Sequence, residues 1–264
     1  MVRKTNRFIT DYDAVPRPVV AVGNDYPDDY EVEPHHHGRA QLLYGASGVM
    51  TVRTEHGAWV VPPAEGVWIP AGITHSLRMI GPVATRNIFV DPLATTDLPE
   101  TCRVLSISPL MRELLLAAVD VPLEYDPDSR DGLIMALLVQ ELRQLPVLPL
   151  SLPFPTEPRL ALRCRRFLEA PDLHDTIDAW ADALAMSRRT FTRFFKRETG
   201  MSFALWTRQA CLFSALRRLG AGEAVTVVAL DLGYDSPSAF TTMFKKALGV
   251  PPSRYLTSSS SRPE

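Results

Sequence analysis

Cysteine is scarce: Cys102, Cys164 and Cys211 are the only three in 264 residues. Odd in number and widely spaced, they offer no disulfide framework and no Cys-x-x-Cys metal clip, which fits a reducing cytoplasm. Long apolar runs are missing as well. The longest, Leu133 to Val139, is far short of the roughly 20 residues that span a bilayer, so no membrane partner is expected. The opening stretch, MVRKTNRFITDYD, has no apolar core of a signal peptide. What remains is 46% hydrophobic and 22% charged, the balance of a folded soluble chain rather than a disordered one. Its length suggests two domains, each able to bury a core.

The net charge of −2 conceals an asymmetry. Residues 1–150 hold 12 Lys/Arg against 19 Asp/Glu, whereas residues 151–264 hold 16 against 11. An acidic front half and a basic back half can be chance, or the back half can meet a polyanion. Between them, residues 146–158 read PVLPLSLPFPTEP, with five prolines. Such a stretch cannot continue a helix or sit in a central strand. It is expected to be an extended, stiff connector between a domain at 1–145 and one at 159–256. The tail at 257–264 has the composition of a disordered end.

Residues 32–95 alternate short apolar runs with Gly/Pro turn clusters such as GASG at 45–48 and PAG at 70–72, the pattern of a small barrel or sandwich. Two helices are expected next. Ser108-Pro109 is a cap and first-turn proline for one, and Asp126-Pro127 repeats that start before SRDGLIMALLVQELRQL.

The back half repeats itself. Ile177, Trp180, Ala181 and Leu184 have the spacing i, i+3, i+4, i+7, and Val225, Val228, Ala229 and Leu232 repeat it 48 residues on. Each stripe is followed by a brief turn and a serine, Ser187 or Ser236, placed to cap the next helix. Both following helices then run Phe-Lys-x-x-x-Gly, at 195–200 and 244–249. Two short helices joined by a tight turn form a helix-turn-helix, here about 177–197 and 225–247. With Phe191, Phe194 and Phe195 facing the core, the first unit exposes Arg188, Arg189, Thr192, Arg193 and Lys196. That face is either a solvated basic surface or a DNA reader. Guanidinium groups can reach guanine O6/N7, and lysines meet phosphates. The second unit exposes Ser238, Thr241, Thr242, Lys245 and Lys246. We read the first unit as discriminating bases and the second as positioning.

These stretches carry a resemblance. Ala229, Gly233, Tyr234, Ser236, Ser238, Phe240, Phe244, Lys245, Gly249, Pro252 and Tyr255 match the closing signature of the AraC/XylS family of bacterial transcription regulators. The likeness covers about 100 residues, including MSRRTFTRFFKRETG at 186–200. It implies a double-stranded DNA partner and a long helix, about Phe203 to Leu219, linking the two units. It also implies recognition helices in successive major-groove faces, roughly 34 Å apart. The family's base-reading positions fall on Arg189, Thr192 and Arg193, then on Pro237, Ser238 and Thr242. Pro237 can make only an apolar contact.

In the front half, His35, His37 and Gln41 share parity, so they can face a barrel interior with His36 outside, and His75 arrives later. The pattern resembles a cupin, with His35, His37, Gln41 and Gly48 in one motif and Pro70, Gly72 and His75 in the other. Gln41 stands where a glutamate is usual, and Met79 where an asparagine is. Converging imidazoles suit a divalent transition metal such as Zn, Ni, Cu or Fe. They equally suit an organic effector, or hydrogen bonding alone. The architecture implied is a cupin-like β-barrel (jelly roll) and two helices, then an all-α domain with two helix-turn-helix units. Leu110, Leu114, Leu115, Leu133, Leu137 and Leu138 either pair two subunits into a homodimer or pack on the barrel of the same chain. The run at 57–75 resembles a subgroup that often controls a neighbouring exporter gene. The alternative to a regulator is a metal-dependent cupin enzyme, a dioxygenase or isomerase, with a helical appendage.

Overall fold

The computed structural model describes residues 12–94 and 98–254. The tail expected to be disordered, and Tyr255 of the signature, lie outside the described residues. Nine strands come first: β1 Val19–Tyr26, β2 Glu31–His35, β3 Ala40–Gly45, β4 Val49–Thr54, β5 Gly57–Val61, β6 Glu65–Ile69, β7 His75–Ile80, β8 Val83–Val90 and β9 Arg103–Ser106. Helices α1 Pro109–Ala118 and α2 Arg130–Leu142 follow, then short strands β10 Val147–Leu148 and β11 Ser151–Pro153. The rest is helical: α3 Pro158–Glu169, α4 Ile177–Ala183, α5 Arg188–Thr199, α6 Phe203–Gly220, α7 Val225–Asp231 and α8 Pro237–Leu248. No helix among the described residues is long and apolar enough to cross a membrane.

The strands form two antiparallel sheets, ordered β1-β8-β3-β6-β9-β10 and β11-β5-β4-β7-β2. Two compact units result: residues up to Val52 with Val61–Leu148, and Arg53–Val60 with residues from Pro149 onward. In the first unit, strand alternation divides the six-stranded sheet cleanly. Leu42, Tyr44, Trp68 and Ile88 point to one face, where Met111 and Leu115 of α1 and Met135 and Leu138 of α2 cover them. Gln41 lies opposite Phe89, and Phe89 opposite Val20, so these share the other face. Leu115 and Leu138 are therefore core of their own chain, whereas Leu110, Leu133 and Leu137 remain 50%, 66% and 41% exposed.

Among the first nine strands, three escape the sequence pattern. In β1, Gly23, Asn24 and Asp25 read as turn residues, yet they pair with Arg86, Thr85 and Ala84. Tertiary pairing overrides local preference there. β2 has no fully buried residue and β9 is only four residues long, so neither shows a strong apolar period.

The start of α2 is corrected by three residues. Its cap is Ser129, which accepts from Gly132 N, while Asp126 builds the preceding turn by accepting from Asp128 N at 3.0 Å. A Cβ on Gly132 would sit 2.1 Å from the Pro127 carbonyl oxygen, so that turn folds tightly onto the helix only because residue 132 is glycine. The proline-rich stretch is extended but not free. It supplies β10 beside β9 and β11 beside β5, both at sheet edges, where proline is tolerated.

The second unit is built around Trp180. Its ring contacts Phe167, Phe191, Phe195, Phe203 and Trp206 at centroid distances of 5.1–6.4 Å, mostly edge to face. Its Nε1 donates to Asp175 Oδ2 at 2.7 Å, and the Arg163 guanidinium lies over it at 4.7 Å.

Candidate functional site

The two helix-turn-helix units repeat at the level of single hydrogen bonds. Met186 N donates to Ala181 O at 2.9 Å, and Tyr234 N to Ala229 O at 3.1 Å. Ala185 and Gly233, which follow the last apolar residue of each stripe, both have positive φ, +54° and +80°. Alanine is accommodated at the first turn. At the second, a Cβ would meet Asp172 Oδ1 at 2.5 Å and His174 Nδ1 at 2.7 Å, so glycine is required. Ser187 caps α5 through Thr190 N and Ser236 caps α8 through Ala239 N, with Pro237 in the first turn. The shared Phe-Lys-x-x-x-Gly ends each helix. Gly200 and Gly249 take the left-handed conformation and donate to Lys196 O and Lys245 O.

On α5, Phe191 and Phe195 are fully buried, while Arg188, Arg189, Thr192, Arg193 and Lys196 are exposed. Phe194 departs from the expected core position: it is half-buried, with the Arg197 guanidinium 5.2 Å from its ring centre. Arg188 is drawn to Asp178 of α4 at 3.1 Å. Arg189, Arg193 and Lys196 have no ion-pair partner among the described residues. On α8, Ser238, Thr242, Lys245 and Lys246 are exposed, and Pro237 and Thr241 half-buried. The Thr192 hydroxyl donates to Arg188 O at 2.8 Å and the Thr242 hydroxyl to Ser238 O at 3.0 Å. With their hydrogens engaged, both threonines present acceptor lone pairs outward.

In the first unit, His35, His37 and His75 come together, with one nitrogen of each within 4.8 Å of the others. The route differs from simple strand alternation. β2 ends at His35, and a register shift after Val32 sets His35 directly across from His75 on β7. His37 follows in a loop held by Gly72, whose N–H donates to His37 O at 2.8 Å from a turn with φ +76°. His36 is exposed. Gly48 answers another need, since a Cβ there would lie 2.5 Å from Pro82 O.

The hydrogen bonding selects one nitrogen on two of the rings. His35 Nδ1 pairs with Glu33 O at 2.8 Å and His75 Nδ1 with Ile73 O at 2.9 Å, which leaves Nε2 of each as the lone-pair nitrogen. His75 Nε2, both ring nitrogens of His37 and Gln41 Oε1 are buried without a hydrogen-bond partner among the described residues. Gln41 shares its sheet face with Phe89, and the Phe89 ring meets His37 edge-on at 4.9 Å. Phe89 is the neighbour that sequence pattern does not single out; Asn87, two residues before it on β8, also has a buried, unpartnered Oδ1.

Burial, reinforced by neighbouring histidines, lowers the pKa of His37 to about 4; burial likewise lowers His75 to about 4. The unfolded chain takes up these protons near 6.5 and the folded one does not, so folding stability is lost as the pH falls from about 6.5 toward 4. Burial raises Glu65 from 4.5 to about 7, which acts oppositely: its share of stability is lost as the pH rises from about 4.5 to 7, so it offsets part of the histidine effect. For metal-free protein we expect the urea midpoint to drop between pH 7 and 5, and the drop to shrink in His37→Gln.

Two helix-turn-helix units that follow, along the chain, a two-sheet domain with converging, unpartnered ring nitrogens have the make-up of a transcription regulator with a DNA-binding and a ligand-binding part. Residues 180–258 match the family model of a helix-turn-helix domain, and residues 17–144 that of the AraC-like ligand binding domain. The HTH-type transcriptional regulator NimR of Escherichia coli (strain K12) is 37% identical over 229 residues, 87% of this chain and 84% of NimR. The chain belongs to the AraC/XylS family of transcription regulators. Among solved structures, the DNA-binding domain of AdpA in complex with a target DNA is 31% identical, covering 38% of this chain and 91% of that one (TM-score 0.36). ToxT from Vibrio cholerae O395 is 11% identical, covering 93% and 99% (TM-score 0.40).

Proposed function

We propose that this regulator acts in the cytoplasm, reads adjacent major-groove stretches of its operator with α5 and α8, and takes a divalent transition metal or a small effector in its barrel. The observation that carries the reading is the pair of serine-capped, glycine-stopped helices with exposed polar faces, acid-free from Ser187 to Arg197 and throughout α8. Arg189 and Arg193 are the guanine readers. Thr192 and Thr242 accept from base amino groups, Ser238 makes a polar contact, and Pro237 meets a thymine methyl. Arg188, Lys196, Thr241 and Lys245 meet the backbone.

The donor set in the barrel suits a metal. Neutral imidazoles ligate, and backbone carbonyls holding the distal nitrogens of His35 and His75 are the usual outer support. His35, His37 and His75 would hold the ion, with Gln41 as the candidate fourth donor. Three nitrogens and an amide oxygen favour Zn, Ni, Cu or Fe(II). Bound metal would supply the signal by favouring one arrangement of the barrel over another.

The test is DNase footprinting of regulator on duplex from its own upstream region, with and without zinc or nickel, beside calorimetric metal titration. We expect stoichiometric metal, lost in His75→Ala, and a metal-dependent footprint. Chelator-treated protein that takes up none of these ions sinks the metal half and leaves an organic effector. We also propose that exposed Leu110, Leu133 and Leu137 pair two copies. Leu133→Asp with Leu137→Asp is then expected to sediment as a monomer while the wild type sediments as a dimer.

A further inference from the structure

Helix α3 carries a second cationic row. Arg159, Arg163 and Arg166 line a cleft of about 390 Å³ between α3 and the C-terminal end of α4, floored by Phe167 and Leu184 with exposed Leu162 at its mouth. Asp175 is the acid in the lining, and its charge is already spent. Oδ1 lies 3.4 Å from Arg163 Nη2, and Oδ2 accepts from Trp180 Nε1 at 2.7 Å. Arg163 in turn stacks over Trp180, so the charges of Arg163 and Asp175 offset each other, while Arg163 Nε stays buried without a partner among the described residues. The cleft's net charge is therefore that of Arg159 and Arg166. Arg159 uses one nitrogen on Ala183 O at 3.2 Å and keeps its other donors. Arg166 is exposed and has no ion-pair partner among the described residues.

We propose that this cleft binds a small organic anion. Arg159 and Arg166 take its carboxylate or phosphate group in the fork geometry guanidinium favours. Its apolar body covers Leu162 and the edges of Phe167 and Leu184. The volume falls within the roughly 300–1,000 Å³ of small-molecule sites. A DNA phosphate would satisfy the two guanidinium groups but leave the apolar floor bare, which is why the ligand is amphipathic. The site is separate from the histidine set and from the reading faces of α5 and α8, so it stands whether or not the proposed operator contacts hold.

The experiment uses the full chain without DNA, titrated with sodium benzoate, with uncharged benzamide and with inorganic phosphate, and followed by amide NMR shifts. The expected result is saturable shifts at Leu162, Arg166 and Leu184 with benzoate, and at least tenfold weaker binding of both benzamide and phosphate. Arg166→Gln should weaken benzoate at least tenfold with an unchanged urea midpoint. Leu162→Glu, which places a like charge at the mouth, should do the same. Non-saturable shifts overturn the proposal. So does benzoate bound equally by both variants, or phosphate bound as tightly as benzoate.

Discussion

Trp180→Ala is expected to remove about 3–5 kcal/mol from the stability of the helical unit, the usual cost of emptying a large aromatic site in a core. Trp180 is fully buried and touches five aromatic rings contributed by α3, α5 and α6. The substitution also strands Asp175 without its indole donor and Arg163 without the ring beneath it. Since a domain's whole stability is only about 5–15 kcal/mol, the unit should be largely unfolded at moderate temperature. Calorimetry of the variant checks this, and a melting temperature within 3 °C of wild type would show that the aromatic cluster repacks around the gap. Trp180→Phe should recover most of the packing but not the hydrogen bond.

Replacing Arg189 and Arg193 together by alanine is expected to weaken operator binding by roughly 2–6 kcal/mol, taking about 1–3 kcal/mol for each bidentate base contact. Both side chains are exposed, so the fold should be undisturbed. The salt response separates readers from positioners. If the arginines bind base edges, the slope of log affinity against log salt stays near the wild-type value in the double variant. Lys196→Ala and Lys245→Ala should each lower that slope by about 0.9, with affinity falling alike on all sequences. A double variant that keeps its affinity and its base preference would remove α5 from the reading role.

Much of the helical unit was legible because each feature is local. Caps, glycine stops and apolar stripes act within one or two turns, so Ser187, Gly200, Ser236 and Gly249 could be placed by spacing alone. Phe194 was not: an aromatic at the edge of a stripe can turn inward or lie under a neighbouring cation, and Arg197 settles it. The start of α2 moved because Asp126-Pro127 and Ser129 are both competent starts, and the glycine at 132 lets the chain fold back at the later one. The leucines of α1 and α2 divided only when a sheet was set beneath them.

The amino-acid order by itself determined the repeated unit, its caps and which polar side chains emerge from it, since these depend on residues a few positions apart. It also supplied three histidines of the right chemistry. Only the tertiary structure decided that they meet. A register shift in β2, a glycine turn at 72 and the pairing of His35 with His75 join residues 40 positions distant, and no local period encodes such a closure.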